Sequence, residues 1–148
     1  MRVLVQKVKY AKCSVDNKIT GSIDKGFLLF VGFTDTDTEA IMDKVIKKTL
    51  SLRIFEDENY KMNLSLNDVK GQLLIISQFT LYADIKHGAR PSFTSAMKAD
   101  KAQPFYNLFV EKVKAQGYSV SCGVFGADMK IELLNDGPCT IIVDSDNL

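Results

Sequence analysis

The sequence predicts an α+β fold: a curved, mostly antiparallel β-sheet or barrel-like core with two main helices packed on one side. Three observations carry this reading. Alternating or unbroken apolar runs recur along the chain, as in RVLVQKV, FLLFVGF and QLLIIS, so strands outnumber helices. Only two stretches repeat apolar residues at helical spacing. The 148 residues, 46% hydrophobic and 25% charged, suit one domain, 1–148, with a real core.

The elements follow in order. Residues 2–15 alternate as a half-buried strand, with Val3 and Val5 on one face and Leu4 on the other. Asp16-Asn17 signals a turn, and Ile19 to Ile23 can return as a hairpin partner. Phe27 to Phe33 is a short apolar run, expected to be a strand buried on both faces. Thr36 and Glu39 stand in capping-box spacing, and Ile41, Val45, Ile46 and Leu50 share one face of a helix over about 37–51. Residues 55–71 are polar and turn-rich and read as a loop; 72–77 read as a second buried strand. Gly88 and Pro91 mark 80–93 as loop. Asp100 is placed to cap a second helix with Pro104 in its first turn, a stripe of Phe105, Leu108, Phe109 and Val113, and Gly117 at its end. The tail reads as strand (130–134), turn (135–138) and strand (140–143).

Composition narrows the function. The net charge is +1, so nothing marks a protein that wraps a long nucleic acid, although gripping only an RNA end needs no global charge. Cys13, Cys122 and Cys139 are widely spaced and odd in number, which argues against a disulfide framework or a zinc site and suits a reducing cytoplasm. The charged start MRVLVQKVKY resembles no signal or transit peptide, and no apolar run approaches bilayer length. Nucleotide-binding glycine motifs and HExxH are absent, and no cofactor or metal is expected. His87, the only histidine, lies in a loop with nothing placing it near a serine, so a serine triad is disfavoured.

Two segments offer chemistry. Ser77-Gln78-Phe79-Thr80 ends a strand, where hydroxyl, amide and backbone N–H groups are held in place as the chain opens to solvent. Asn135-Asp136-Gly137-Pro138 is dense in turn residues, and its Gly-Pro bond has access to a cis form that turns successive carbonyls to one side. On chemistry alone the first is also an ordinary strand ending and the second an ordinary hairpin turn.

Together, SQFTL (77–81) and NDGPCT (135–140) resemble the SQ-x-x-L and N-x-G-P-x-T segments of the D-aminoacyl-tRNA deacylases. The stretches VQKV…GSIDKGFLLFVG, LRIFED…KMNLS, GARPSF and FGADMKIELLNDGP extend the likeness over essentially the whole chain. The resemblance implies a barrel-like homodimer that hydrolyses D-amino acids, and mischarged glycine, from the 3′ end of tRNA. It implies that Gly137 and Pro138 reach into the partner's pocket, bind the substrate amino group and leave no room for an L side chain, which is specificity by exclusion. It assigns Ser77, Gln78, Phe79 and Thr80 to the catalytic wall opposite, with the Phe79 N–H near the ester carbonyl. Phe125 and Met129 fall near the terminal adenosine. Two positions depart from the family pattern: Lys7 stands where arginine is usual, so an ion pair orienting the Gly-Pro loop is expected to be looser, and Cys139 stands where valine is common, with little expected effect.

A threonine nucleophile needs a base, and none accompanies Thr80 in its motif. The substrate brings a ribose 2′-OH beside the ester, so RNA-assisted hydrolysis is the expected route. The competing readings are an esterase with Thr80 or Ser77 as nucleophile, an RNA-binding module without catalysis, and a purely structural dimer.

Overall fold

A computed structural model describes residues 1–148. Its strands are β1 (Arg2–Val15), β2 (Lys18–Ile23), β3 (Gly26–Gly32), β4 (Phe55–Glu56), β5 (Met62–Leu64), β6 (Gln72–Ser77), β7 (Val120–Cys122) and β8 (Lys130–Asp144); its helices are α1 (Glu39–Leu50) and α2 (Ala99–Ala115). The main sheet runs β2-β1-β3-β6-β7, with β8 on β1. β1 turns back at Asp16 and Asn17, both at positive φ, and then pairs β2 and β3 in a single unbroken register from Cys13↔Gly21 to Arg2↔Gly32. β2 and β3 are therefore one long arm, interrupted only at Asp24-Lys25. The sheet curls until β7 meets β2, where the Ser121 hydroxyl donates to the Ser22 carbonyl at 3.0 Å.

The antiparallel expectation holds for β1 with β2, β3 and β8, while β3–β6 and β6–β7 are parallel. Parallel neighbours need a long crossover, and here α1 and α2 supply it. Such crossovers are almost always right-handed, so two in succession put both helices over the same face. Period-two alternation then divides the buried strands between two clusters. Phe27, Leu29, Val31, Leu73 and Ile75 face the helices, and Leu28, Leu74 and Ile76 face the other side.

Several local expectations are corrected. α1 is capped by Thr38, whose Oγ1 accepts from Ile41 N–H, not by Thr36; Asp37 is buried and its carboxylate accepts from Thr34 N–H. α2 begins at Ala99 after Lys98 with no side-chain cap, so Asp100 sits inside the first turn and Pro104 one turn deeper than expected. The buried stripe of α2 runs through Ala102, Tyr106, Phe109, Val110 and Val113, with Phe105 and Leu108 at its edge; Gly117, at φ +89°, follows its end. The 55–71 loop contains the short β4–β5 pair. Residues 135–138 do not reverse the chain: β8 is one strand that pairs β1 on both sides of them, Val8↔Asn135 before and Gln6↔Thr140 after. The segment is a wide bulge, so its turn residues serve a protrusion rather than a hairpin.

Tyr106 anchors α2 to the sheet by donating its hydroxyl to the Ile75 carbonyl at 2.7 Å. Burial pushes its phenol pKa well upward, so it stays a donor throughout the accessible pH range. Tyr106→Phe is expected to cost about 1 kcal/mol in urea unfolding, a modest loss because Gly123 N–H also reaches that carbonyl.

Candidate active site

β6 carries the site. Its apolar run is held between β3 and β7 and ends at Ser77, where Gln78 N–H still donates to the Val31 carbonyl at 2.8 Å. The chain then leaves the sheet in a 3-10 turn, Phe79–Tyr82, tied by Leu81 N–H to the Gln78 carbonyl (3.3 Å) and by Ala83 N–H to the Thr80 carbonyl (3.0 Å). Phe79 opens that turn, at a position whose N–H has no acceptor within the turn itself. Arg2 braces the far end: its guanidinium donates to the Leu81 carbonyl (2.9 Å) and to Asp144 (2.8 Å), and lies 4.6 Å from the Tyr82 ring centroid. Hydrogen bonds from Arg2 and the Asp146 N–H hold the Asp144 carboxyl below its ordinary pKa despite its partial burial.

The strand end opens onto a cleft of about 700 Å³. Ser77, Gln78 and Phe79 form one wall, and Phe125 and Met129 line it too, so these five expected residues come together. Thr80 does not line the cleft; its hydroxyl accepts from the Gln78 amide. Gly137 and Pro138 also lie outside it, exposed on the β8 bulge, joined by a cis peptide bond. Lys7 is buried opposite that bulge, between Val8↔Asn135 and Gln6↔Thr140, and forms no ion pair there; its ammonium lies 6.0 Å from the Phe55 ring centroid. Cys139 is buried in the main core, as a small apolar residue would be.

Sequence reasoning missed the remaining wall. Gly32 and Phe33 at the end of β3, Phe93, and the Ala96–Ala99 stretch leading into α2 all line the cleft. The available signal was Phe93 and Met97, large apolar residues in a polar stretch. Phe93 meets Phe79 edge-on, with centroids 5.1 Å apart, and Met97 N–H donates to the Phe33 carbonyl at 2.9 Å. Lys98 and Asp128 are the only ionisable side chains lining the cleft. The arrangement therefore offers a largely apolar seat, hydroxyl and amide groups, and the backbone N–H that opens the turn, with Asp128 as its one carboxylate.

Known proteins agree on what such a chain is. The family described as D-Tyr-tRNA(Tyr) deacylase matches residues 4–144. A D-aminoacyl-tRNA deacylase of Fusobacterium nucleatum subsp. nucleatum is 55% identical over 98% of this chain and 96% of its own length. Another of that name, from Limosilactobacillus reuteri, is 51% identical over 97% and 99%. Among solved structures, one named c-Myc DNA Unwinding Element Binding Protein superimposes with a TM-score of 0.91 at 34% identity, over 97% of this chain and 98% of that one. A probable eukaryotic D-amino acid tRNA deacylase shares the fold, with a TM-score of 0.80 at 22% identity, over 96% and 97%. These matches place the chain among the hydrolases that cleave carboxylic ester bonds. It belongs to the D-Tyr-tRNA(Tyr) deacylase family.

Proposed function

We propose that this protein hydrolyses the ester bond of D-aminoacyl-tRNA, and of mischarged glycyl-tRNA, releasing free amino acid and intact tRNA in the cytoplasm. The observation that carries the chemistry is the Phe79 N–H, at the opening of a 3-10 turn on the wall of a largely apolar cleft that holds no histidine. A donor fixed there can polarise the ester carbonyl and stabilise the oxyanion that develops as water adds to it. The bond to the ribose 3′-oxygen then breaks, that oxygen takes a proton, and the amino acid leaves as its carboxylate. The vicinal 2′-OH is the group positioned to relay that proton. Phe125 and Met129 seat the terminal adenosine.

Thr80 is assigned no covalent role, a reading supported by its hydroxyl's engagement with Gln78 and its place outside the cleft. Chirality is assigned to Gly137 and Pro138 of a second copy, entering this cleft in a homodimer. Their exposure on a bulge away from their own chain's cleft supports this, as do Leu134 and Ile142, exposed apolar residues on the same strand. No helix is long and apolar enough to cross a membrane.

Deacylation of D-Tyr-tRNA and L-Tyr-tRNA tests the reading. Rapid turnover of the D form alone is expected; equal rates, or none on the D form, would overturn it. Thr80→Ala is expected to keep turnover within about tenfold, whereas loss of a true nucleophile costs orders of magnitude more. Substrate lacking the terminal 2′-OH is expected to react at least about a hundredfold more slowly, the typical worth of a positioned proton-transfer group.

A further inference from the structure

Positive charge gathers beside the cleft although the chain is nearly neutral overall. Asp84 and Ser92 pair through both backbone bonds, 2.7 and 2.9 Å, and close a loop whose residues 85–92 are all exposed. The Asp84 carboxylate turns back to accept Lys86 N–H at 2.9 Å, so the acid at the base of the loop is engaged with the loop's own backbone. The loop carries Lys86 and Arg90, neither of which has an ion-pair partner. The chain emerging from the loop reaches the cleft at once through Phe93, packed on Phe79. Lys98 follows on the cleft wall, and Lys101 stands exposed on the first turn of α2; these too are unpaired. Against the four cations Lys86, Arg90, Lys98 and Lys101 stand the acids Asp84, Asp100 and Asp128, which leaves this rim one positive charge in excess.

We propose that the 84–92 loop, with Lys98 and Lys101, is a docking surface for the phosphodiester backbone of RNA, gripping the strand that leads out of the cleft. This rests on the reading of the cleft as the seat of a tRNA 3′ end. A nucleotide held there must send its 5′ phosphates out across the mouth, where the fixed charge is of the opposite sign. Arg90 suits a bidentate grip on phosphate oxygens, and the lysines act as point charges. A few contacts of this kind give local, salt-sensitive binding without making the whole protein basic. The exposed lysines Lys44, Lys47 and Lys48 of α1 border a different hollow, with Asn147 and Leu148, and share no lining residue with the cleft.

The test compares wild type, the double variant Lys86→Ala/Arg90→Ala, and the control Lys44→Ala/Lys47→Ala/Lys48→Ala. Each is assayed on D-Tyr-tRNA and on the 3′-D-tyrosyl ester of adenosine, with binding of uncharged tRNA followed by fluorescence anisotropy across a salt series. The double variant is expected to bind tRNA about tenfold more weakly, with a log–log salt slope smaller by about 1.4, the effect of losing two single-strand phosphate contacts. Its KM for D-Tyr-tRNA should rise in step while turnover of the adenosine ester is unchanged, and the α1 control should match wild type throughout. Unchanged tRNA affinity and salt slope would overturn the proposal. So would an equal loss on the adenosine ester, which would make the loop part of the cleft itself, or an equal loss in the α1 control, which would make the attraction diffuse. Should wild type hydrolyse neither substrate, the proposed activity fails, while the anisotropy series still decides whether the loop holds RNA.

Discussion

Replacing Gly32 by alanine is expected to lower kcat/KM for D-Tyr-tRNA by at least about tenfold while the chain remains folded. Gly32 ends β3 where it passes beneath the turn that follows β6. A β-carbon there would lie 2.8 Å from the Gln78 carbonyl oxygen and 3.2 Å from the Leu81 β-carbon. Neither neighbour is the free end of a flexible side chain. The Gln78 carbonyl accepts from Leu81 N–H, and Leu81 is held in turn by Arg2. Relief must therefore come from moving the 78–81 turn as a body, and the Phe79 N–H moves with it. Displacing a positioned group by about 1 Å can cost a hundredfold in rate, so a shift of a few tenths of an ångström is enough for the expected loss. Steady-state kinetics beside a melting curve would check this; an unchanged kcat/KM would show that the turn's position does not govern the reaction.

Gly26→Ala carries the largest expected effect on stability. Gly26 is buried at the start of β3 and pairs Val8 on one side and Gln72 on the other. A β-carbon would overlap the Gln72 carbonyl oxygen and lie 2.7 Å from the backbone carbon and nitrogen of the same residue. The obstruction is backbone on a central strand, so no rotamer change relieves it. The parallel β3–β6 pairing would have to part at its first residue. Overpacking of this kind costs about 3 kcal/mol or more. At about 2–4 °C per kcal/mol for a chain near this size, Tm should fall by roughly 6–12 °C. A melting temperature within about 2 °C of wild type would show that the two strands separate more easily than their pairing suggests.

The sequence revealed most where one physical cause acts alone. The strands β1, β3 and β6 and both helices follow from apolar spacing, because burial on one or two faces writes a period directly into the residues. Parallel pairing was not legible, since a strand's own sequence carries no mark of its neighbour's direction. The misplaced caps share a cause: Thr36, Thr38 and Asp100 all have suitable side chains, and only the path of the chain decides which one faces a free N–H. The same limit hid the bulge. Asn135 to Pro138 look the same whether the chain reverses or protrudes, and β1's register alone distinguishes them. Of the cleft, the strand end was readable as a place where polar groups are held. The wall from Gly32 and from Phe93 to Ala99 was not, because it assembles from segments remote in sequence and is mostly small and apolar residues that form no motif.

The bulge on β8 also fixes a count. Before it, Met129, Ile131 and Leu133 pack against one cluster; after it, Cys139, Ile141 and Val143 pack against the other. Four residues, 136–139, stand opposite Lys7 alone, and that number sets the phase in which β8 resumes. One residue more or fewer would turn Cys139 and Val143 toward solvent and present Thr140 and Ile142 to the core. The length of the segment is therefore held by the core, independently of what Gly137 and Pro138 do at its tip. In any collection of related chains, insertions and deletions should not be found there.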